Sequence, residues 1–129
     1  MIQDIIGVNI FTTRLGEMAA FYRDVVGLEQ HSDHGELITF DVRPGLRLNI
    51  GRHSQIWTEE ALDPFRIMFN LGVDDIHAVH ARMVDNGAEF IRPPEQEAWG
   101  GWIATFKDPD GNVLQLMQQP KGALYGSSR

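Results

Sequence analysis

Hydrophobic residues recur along the chain with a period of two in some segments and at helical spacing in others, which predicts a mixture of strands and helices. Segment 5–11 alternates isoleucine and valine with Gly, Asn and Phe, which is typical of a half-buried strand. Segment 15–26 carries an apolar stripe at helical spacing and is followed by Gly27, so we expect a helix that stops at that glycine. Two further strands are predicted over 36–41 and 46–51.

The second half of the chain repeats this order of elements. The predicted elements are a strand at 66–71, a helix capped by Asp74 or Asp75 and stopped by Gly87, a strand at 89–92, and a closing hairpin within 104–117. The helix of the first half has Thr12 and Thr13 before it as N-cap candidates. The second half therefore has the pattern βαβββ, and because the first half repeats its order of elements, we predict βαβββ for each half.

An internal repeat supports the two halves. Segment 40–50, FDVRPGLRLNI, matches 106–116, FKDPDGNVLQL, at an offset of 66, and Asn9 matches Asn70 at an offset of 61. The fold class predicted is α+β, with two βαβββ modules forming curved mixed sheets around a cavity. The chain is predicted to be one domain, in which module one spans 5–53, a connector spans 54–65, module two spans 66–119, and a polar tail spans 121–129.

One face of each predicted sheet is apolar and would pack against a helix, whereas the opposite face mixes polar and apolar side chains. The mixed face carries Gly7, Asn9, Phe11, Arg47, Asn49, Met68, Asn70, Val113, Gln115 and Met117. This composition is too mixed for a core and too apolar for ordinary surface, so it predicts a ligand cavity.

Charge and composition exclude several classes of function. The net charge of −7 and the scattered basic residues argue against a nucleic-acid partner. No segment approaches the roughly 20 apolar residues that span a bilayer, and no signal peptide is evident, so we expect a cytoplasmic protein without a membrane partner. The absence of cysteine removes disulfides, thiol nucleophiles and zinc thiolate sites.

The chain resembles the vicinal oxygen chelate superfamily, which includes glyoxalase I, extradiol dioxygenases and bleomycin-resistance proteins. The resemblance rests on FYRDVVGLE at the end of the first helix, VDDIHAVHARMVDNGAEF in module two and FKDPDGNVLQLMQ at the end. It implies paired βαβββ modules and a homodimer.

The metal enzymes of that superfamily place His, Glu or Gln at four inward strand positions. The corresponding positions here are Gly7, Met68, Asn49 and Gln115. Glycine offers no ligand, thioether sulfur suits soft metals, and neutral amides make a poor divalent site. A slipped alignment would substitute Asn9 and Asn70, which are also amides. The resemblance is therefore to the metal-free, bleomycin-resistance-like branch, with no cofactor expected.

The histidines do not supply a metal site in this interpretation. His31 and His34 are predicted to lie in a surface turn, and His77 and His80 on a solvated helix surface. His53, at the start of the connector, could face the mouth of a cavity.

A small-molecule ligand is the predicted partner, and no catalytic residue is predicted. The expected ligand-binding residues are Asn9, Phe11, Arg47, Asn49, Met68, Asn70, Trp102, Gln115 and Met117. The amides would donate and accept hydrogen bonds, Arg47 could hold a carboxylate or phosphate, and Trp102 could form an aromatic wall. The negative net charge would suit a cationic ligand.

The function predicted is metal-independent binding of a small molecule, as in antibiotic or metabolite sequestration. The alternative is a glyoxalase-like lyase, isomerase or dioxygenase that holds a divalent metal on Gln115 together with Asn49, Asn9 or His53. Metal-free acid–base catalysis is a third hypothesis, against which no inward pair of Asp, Glu or His is apparent.

Overall fold

The computed structural model describes residues 1–121 and divides into two compact units. Unit 1 is Met1–Glu60, and unit 2 begins at Ala61, a boundary that falls inside the predicted connector. The predicted polar tail 121–129 lies outside the described residues except for Lys121. No helix within residues 1–121 is long and apolar enough to cross a membrane.

Unit 1 is a four-stranded sheet with one helical segment. Its elements are β1 (Gly7–Phe11), α1 (Leu15–Ala20) with a π-helical continuation (Phe21–Val26), β2 (Glu29–Asp33), β3 (Leu37–Arg43) and β4 (Leu46–Gly51). The strands lie in the order β1-β4-β3-β2. Strand β1 is parallel to β4, and the other neighbours are antiparallel.

Unit 2 repeats the same topology. Its elements are β5 (Phe69–Gly72), α2 (Ile76–Asp85), β6 (Glu89–Gln96), β7 (Trp102–Lys107) and β8 (Val113–Gln118). The strand order is β5-β8-β7-β6, with β5 parallel to β8. The predicted α+β class with a repeated βαβββ pattern is confirmed.

Strand register confirms the repeat at residue level. In unit 1, Asn49 of β4 faces Thr39 of β3, and in unit 2, Gln115 of β8 faces Thr105 of β7. Both pairs are related by the offset of 66 found in the sequence. Equivalent residues of the two units therefore occupy equivalent positions in the two sheets.

Each unit has its core on the face of the sheet that its helix covers. Helix α1 packs against β4, and α2 packs against β6, β7 and β8. The buried apolar side chains include Met18, Tyr22, Phe40, Leu48 and Ile50 in unit 1, and Ile76, Met83, Phe106, Leu114 and Leu116 in unit 2. This burial is the main stabilising contribution to each unit. We call the opposite face of each sheet, which the helix of its unit does not cover, the open face, although Thr39, Thr105 and Val113 on it are buried.

The helix starts agree with the sequence in one unit only. Asp75 is the N-cap of α2, and its side chain accepts a hydrogen bond from the Ala78 amide at 3.1 Å. The N-cap of α1 is Arg14, not Thr12 or Thr13. Thr12 instead accepts a hydrogen bond from the Arg14 amide at 2.9 Å, a local turn that starts the chain toward the helix.

Strand β2 corrects the prediction of a surface turn at His31, whereas His34 lies in the exposed turn after this strand, as predicted. Segment 29–33 is the edge strand of its sheet, and four of its five side chains are exposed. An edge strand without a buried face shows no alternation of apolar and polar residues, so periodicity could not detect it.

Unit 2 differs from the prediction at both edges of its sheet. Strand β6 continues through Pro93 and Pro94, which an edge strand tolerates because one row of its amides needs no partner. Ile67, predicted on the buried face, lies before β5 and is exposed, as is Met68.

Candidate functional site

A row of four polar side chains crosses the open face of the unit 1 sheet. Asn9 of β1 pairs in register with Asn49 of β4, Asn49 with Thr39 of β3, and Thr39 with Ser32 of β2. Side chains at paired positions share one face of a sheet. The four strands therefore place an uninterrupted line of amides and hydroxyls opposite the helix.

Hydrogen bonds link the members of this row. Asn49 donates from Nδ2 to Oδ1 of Asn9 at 2.9 Å, and the hydroxyls of Ser32 and Thr39 are 2.6 Å apart. The Oδ1 atom of Asn49 is buried and has no hydrogen-bond partner among the described residues. A buried acceptor without a partner is energetically costly, so it marks a position where a bound donor would be favourable.

A β-bulge aims His31 at this face. Gln30 pairs with Phe40 and Ser32 with Thr39, which leaves His31 as the extra residue of β2. Its Nδ1 atom lies 3.3 Å from Ser32 Oγ. Bulges commonly redirect a side chain next to a functional site.

Arg47 forms hydrogen bonds with the bulge residue His31 and with Asp41 of β3. It donates from Nη2 to Nε2 of His31 at 2.8 Å and from Nε to Oδ1 of Asp41 at 3.1 Å. Because a guanidinium only donates, Nε2 of His31 is the acceptor and the neutral ring carries its proton on Nδ1. Arg47 and Asp41 also line an open groove of about 670 Å³ at the β3–β4 turn.

The row on the other side of the amides is apolar. Phe11 pairs with Gly51, and Gly51 with Leu37. A Cβ at Gly51 would lie 2.7 Å from Leu37 Cδ1 and 3.2 Å from the Glu36 carbonyl oxygen, so only glycine leaves room for the leucine here. The His53 ring lies edge-on to Phe11, with centroids 4.9 Å apart. Unit 1 therefore presents charged, neutral polar and apolar rows side by side.

Unit 2 carries the equivalent polar row on its own open face. Asn70 pairs with Gln115, Gln115 with Thr105, and Thr105 with Arg92. Gln115 donates from Nε2 to Thr105 Oγ1 at 3.4 Å. The next row pairs Gly72 with Met117 and Met117 with Ile103.

Arg92 is engaged by two carboxylates of its own unit. Its Nε atom contacts Glu95 at 2.5 Å, and its Nη2 atom contacts Glu97. Hydrogen bonds first to Glu95 and then to Glu97 raise the pKa of Arg92 above its ordinary value. The charge at this end of the unit 2 row is thus locally compensated.

The sequence of this chain is similar to those of known proteins. Residues 5–116 match the sequence profile of the Glyoxalase/Bleomycin resistance protein/Dioxygenase superfamily. The chain belongs to this superfamily. It is 30% identical over 124 residues to the uncharacterized protein YetH of Bacillus subtilis, covering 92% of this chain and 100% of YetH.

The chain is similar to two further proteins. A bleomycin resistance protein of Klebsiella pneumoniae is 32% identical over 73 residues, covering 50% of this chain and 58% of that protein. A glyoxalase/bleomycin resistance protein/dioxygenase from Nocardioides has a crystal structure that superposes with a TM-score of 0.76 at 20% identity, covering 98% of this chain and 89% of that one. The structural likeness shows the shared fold.

The metal that many members of the superfamily use does not fit the side chains found here. Within residues 1–121, no three His, Cys, Asp or Glu side chains are grouped so that they could hold a metal ion. The positions that the resemblance assigns to ligands are Gly7, Met68, Asn49 and Gln115. These positions provide one thioether and two neutral amides, which is a poor donor set for a hard or borderline divalent ion.

Most of the predicted ligand-binding residues fall on the two open faces. Those on unit 1 are Asn9, Phe11, Arg47 and Asn49, and those on unit 2 are Asn70, Gln115 and Met117. Met68 precedes β5 and is exposed.

Trp102 requires a correction because it lies on the side of its sheet that faces α2. Its ring contacts His77 edge-on, with centroids 4.7 Å apart, and His80 contacts Phe90 in the same way at 4.5 Å. Both histidines thus contact aromatic rings; His77 is exposed on the helix, as predicted, whereas His80 is half-buried. Trp102 shares a face with buried Phe106, since the two are four positions apart in one strand and side chains alternate between faces.

Sequence reasoning missed the members of the polar rows contributed by β2, β3, β6 and β7. These residues are His31, Ser32, Thr39 and Asp41 in unit 1, and Arg92 and Thr105 in unit 2. A signal was available, since the helix-ending Gly27 and Gly87 are 60 residues apart and β2 and β6 begin two residues after them. Applying that offset to the predicted strand at 89–92 would have placed a strand at Glu29.

Proposed function

We propose that this superfamily member binds a small amphipathic organic molecule without a metal ion, on the open face of its sheets. The observation that carries the proposal is the neutral polar row of each unit. Asn49 and Gln115 are at positions that the resemblance assigns to metal ligands, and each pairs in register with a second amide, Asn9 or Asn70. Paired amides donate and accept hydrogen bonds but carry no charge to hold a divalent ion.

The neighbouring rows suit a ligand with both polar and apolar parts. In unit 1 the amides lie between apolar Phe11 and Leu37 on one side and Arg47 and Asp41 on the other. In unit 2, Met117 and Ile103 flank the amide row. Binding sites for small molecules typically combine an apolar lining with a few convergent polar groups.

The name of one relative suggests a biological role for this binding. The Klebsiella pneumoniae protein is named for bleomycin resistance, and sequestration of an antibiotic or of a metabolite is the role we propose here. Because unrelated functions share folds, a screen across several chemical classes identifies the compound.

We also propose that the chain acts as a cytoplasmic homodimer. Large apolar side chains are exposed on the isolated chain, among them Ile2, Ile5, Ile6, Phe65 and Ile67. Exposed apolar patches commonly mark interfaces. Light scattering coupled to size exclusion should give a mass of about twice 14.6 kDa; a monomer mass at all concentrations would contradict this part of the proposal.

A screen under metal-free conditions tests the binding function. Thermal shift against antibiotics and α-keto or thiol-conjugated metabolites should identify a ligand, whose affinity is then measured with and without a chelator. We expect equal affinities in the two conditions. A ligand that binds only after Zn, Ni, Mn or Fe is restored would favour the alternative enzyme with a metal on Gln115 and Asn49.

Substitutions test whether the polar row contributes to ligand affinity. Asn49→Ala should weaken the ligand about five- to thirtyfold, since one or two hydrogen bonds of about 1 kcal/mol each are lost. Gln55→Ala, an amide removed from an exposed position in the connector, is the matched control and should leave affinity unchanged.

A further inference from the structure

Two contacts fix the guanidinium of Arg47 on the open face of unit 1. Its Nε atom donates to Asp41 and its Nη2 atom to His31. Of the five N–H groups of an arginine, the remaining three have no partner among residues 1–121. The side chain is 48% exposed, so these donors are accessible to a molecule in solution.

The fold itself does not require these residues. Unit 2 forms the same strand pairing and the same bulge with other side chains. At the positions equivalent to Arg47, His31 and Asp41 it has Val113, Ile91 and Lys107. Because the second sheet is built without this cluster, the backbone of unit 1 does not explain its presence.

The surroundings of Arg47 fit one end of an amphipathic molecule. Asn9 and Asn49 form the next row of the face, and Phe11 and Leu37 the row beyond it. Glu29 lies on the far side of Asp41 from Arg47 in the strand register. In the row of Arg47, the carboxylate of Asp41 is already paired with the guanidinium, and Glu29 lies one strand further away.

We propose that Arg47 binds the carboxylate or phosphoryl group of an organic acid whose apolar part lies on Phe11 and Leu37. A guanidinium is a planar fork that matches these oxyanions with two parallel hydrogen bonds. The inference rests on the proposed function and names its ligand class. It replaces the organic cation that the net charge of the chain suggested.

His31 and Asp41 act as positioning residues in this proposal. An exposed arginine loses conformational freedom when it binds a ligand. Two anchors that already hold the guanidinium reduce this loss and keep the group directed along the face.

Three probes with one ring system test the proposal on the full chain. They are naphthalene-2-carboxylate, 2-naphthyl phosphate and the neutral naphthalene-2-carboxamide, each titrated in the presence of a chelator. We expect the carboxylate or the phosphate to bind at least about tenfold tighter than the carboxamide. Whichever acid binds tighter distinguishes a carboxylic acid from a phosphate ester.

Variants of Arg47 test whether this residue causes the preference for the acid over the carboxamide. Arg47→Val copies the residue that unit 2 has at this position, and Arg47→Lys keeps the charge without the fork. Both should abolish the preference for the acid while the carboxamide affinity changes less than about twofold. Arg52→Val, which removes an exposed arginine paired with Glu36, is the control of equal charge and should retain the preference.

Variants of His31 separate positioning from a structural role. His31→Ile, the bulge residue of unit 2, should weaken the acid about fivefold, whereas His31→Gln keeps an acceptor for Arg47 and should restore most of the affinity. A merely structural role would weaken the acid and the carboxamide equally in both variants.

Three results would overturn the inference: equal affinity of the parent for acid and carboxamide, an acid preference that survives in Arg47→Val, or no binding of any probe up to about 10 mM. If either of the first two results is found while the carboxamide binds in the presence of chelator, the proposal of metal-free binding is still supported. A stoichiometric bound metal, in contrast, contradicts the proposed function and is measured separately.

Discussion

Asn49 donates a hydrogen bond from Nδ2 to Oδ1 of Asn9, 2.9 Å away, across two parallel strands. The same two strands of unit 2 pair Asn70 with Gln115. A superfamily that includes metal enzymes thus has, in this member, amide pairs on both of its open faces. Substitutions in the amide pairs, and in the turns of their sheets, should change the free energy of unfolding.

The two alanine variants of the Asn9–Asn49 pair should differ in their free energy of unfolding. Asn49→Ala loses one hydrogen bond of about 1 kcal/mol but also removes the buried unpartnered oxygen, so the free energy of unfolding should change by less than about 1 kcal/mol. Asn9→Ala leaves both polar groups of Asn49 without a partner and should cost about 1 kcal/mol more. Urea unfolding measures both. An equal loss in the two variants would contradict the assigned orientation of the amide.

The closing turn of unit 2 should depend strongly on Asp108. Its carboxylate accepts hydrogen bonds from the amide of Asp110 and from the amide and side chain of Asn112, at 2.9 to 3.0 Å. Asp108→Ala should therefore lower the free energy of unfolding by about 3 kcal/mol. Asp63→Ala, which breaks the exposed contact with Arg66, is the comparison and should cost less than about 0.5 kcal/mol. Similar losses for both aspartates would refute the role of the turn.

Two glycines should respond in opposite directions to alanine. Gly16 lies within α1, and the space that a Cβ would occupy there is open, so Gly16→Ala should stabilise the chain by about 0.5 to 1 kcal/mol. Gly87 ends the helical region of unit 2 at a φ of +94°, a left-handed conformation in which a Cβ is strained. Gly87→Ala should destabilise by about 1 kcal/mol. Thermal unfolding of the two variants gives the signs directly, and the same sign for both would contradict the assignment.

Trp99 should be released from its packing by Gly101→Ala. A Cβ at Gly101 would lie 1.9 Å from the Trp99 ring, which shows that the indole lies directly over this glycine. The side chain must move toward solvent, and its fluorescence emission should shift to longer wavelength. Because the chain has three tryptophans, the measurement is repeated in a Trp99→Phe background, where the shift should disappear. A shift that persists there would come from another tryptophan.

The sequence was sufficient for the strands and helices that have a buried face. Alternation along β1 and β4 and the offset of 66 placed Asn9, Asn49 and Gln115 on their sheets, and the strand register agrees. The N-cap Asp75 was also predicted because its side chain is one of the two candidates before the apolar stripe.

The remaining parts of the site could not be read from periodicity. Strand β2 has no buried face, so His31 was assigned to a turn, and the bulge that directs it toward Arg47 leaves no pattern in a single strand. Trp102 was assigned to the open face because tryptophan beside glycine suggested an aromatic wall, although its spacing to Phe106 places it on the buried face of β7. Contacts such as that of Arg47 with His31 join residues 16 apart and depend on tertiary structure.

Metal content of the purified protein tests the central claim most directly. The chain should be expressed in rich medium, purified without chelator and analysed for Zn, Ni, Mn and Fe by mass spectrometry, and its ligand affinity measured on the same sample. The amide pairs Asn9–Asn49 and Asn70–Gln115 predict well under about 0.1 metal ion per chain together with full ligand binding. About one ion per chain, lost on chelation together with ligand binding, would contradict the account.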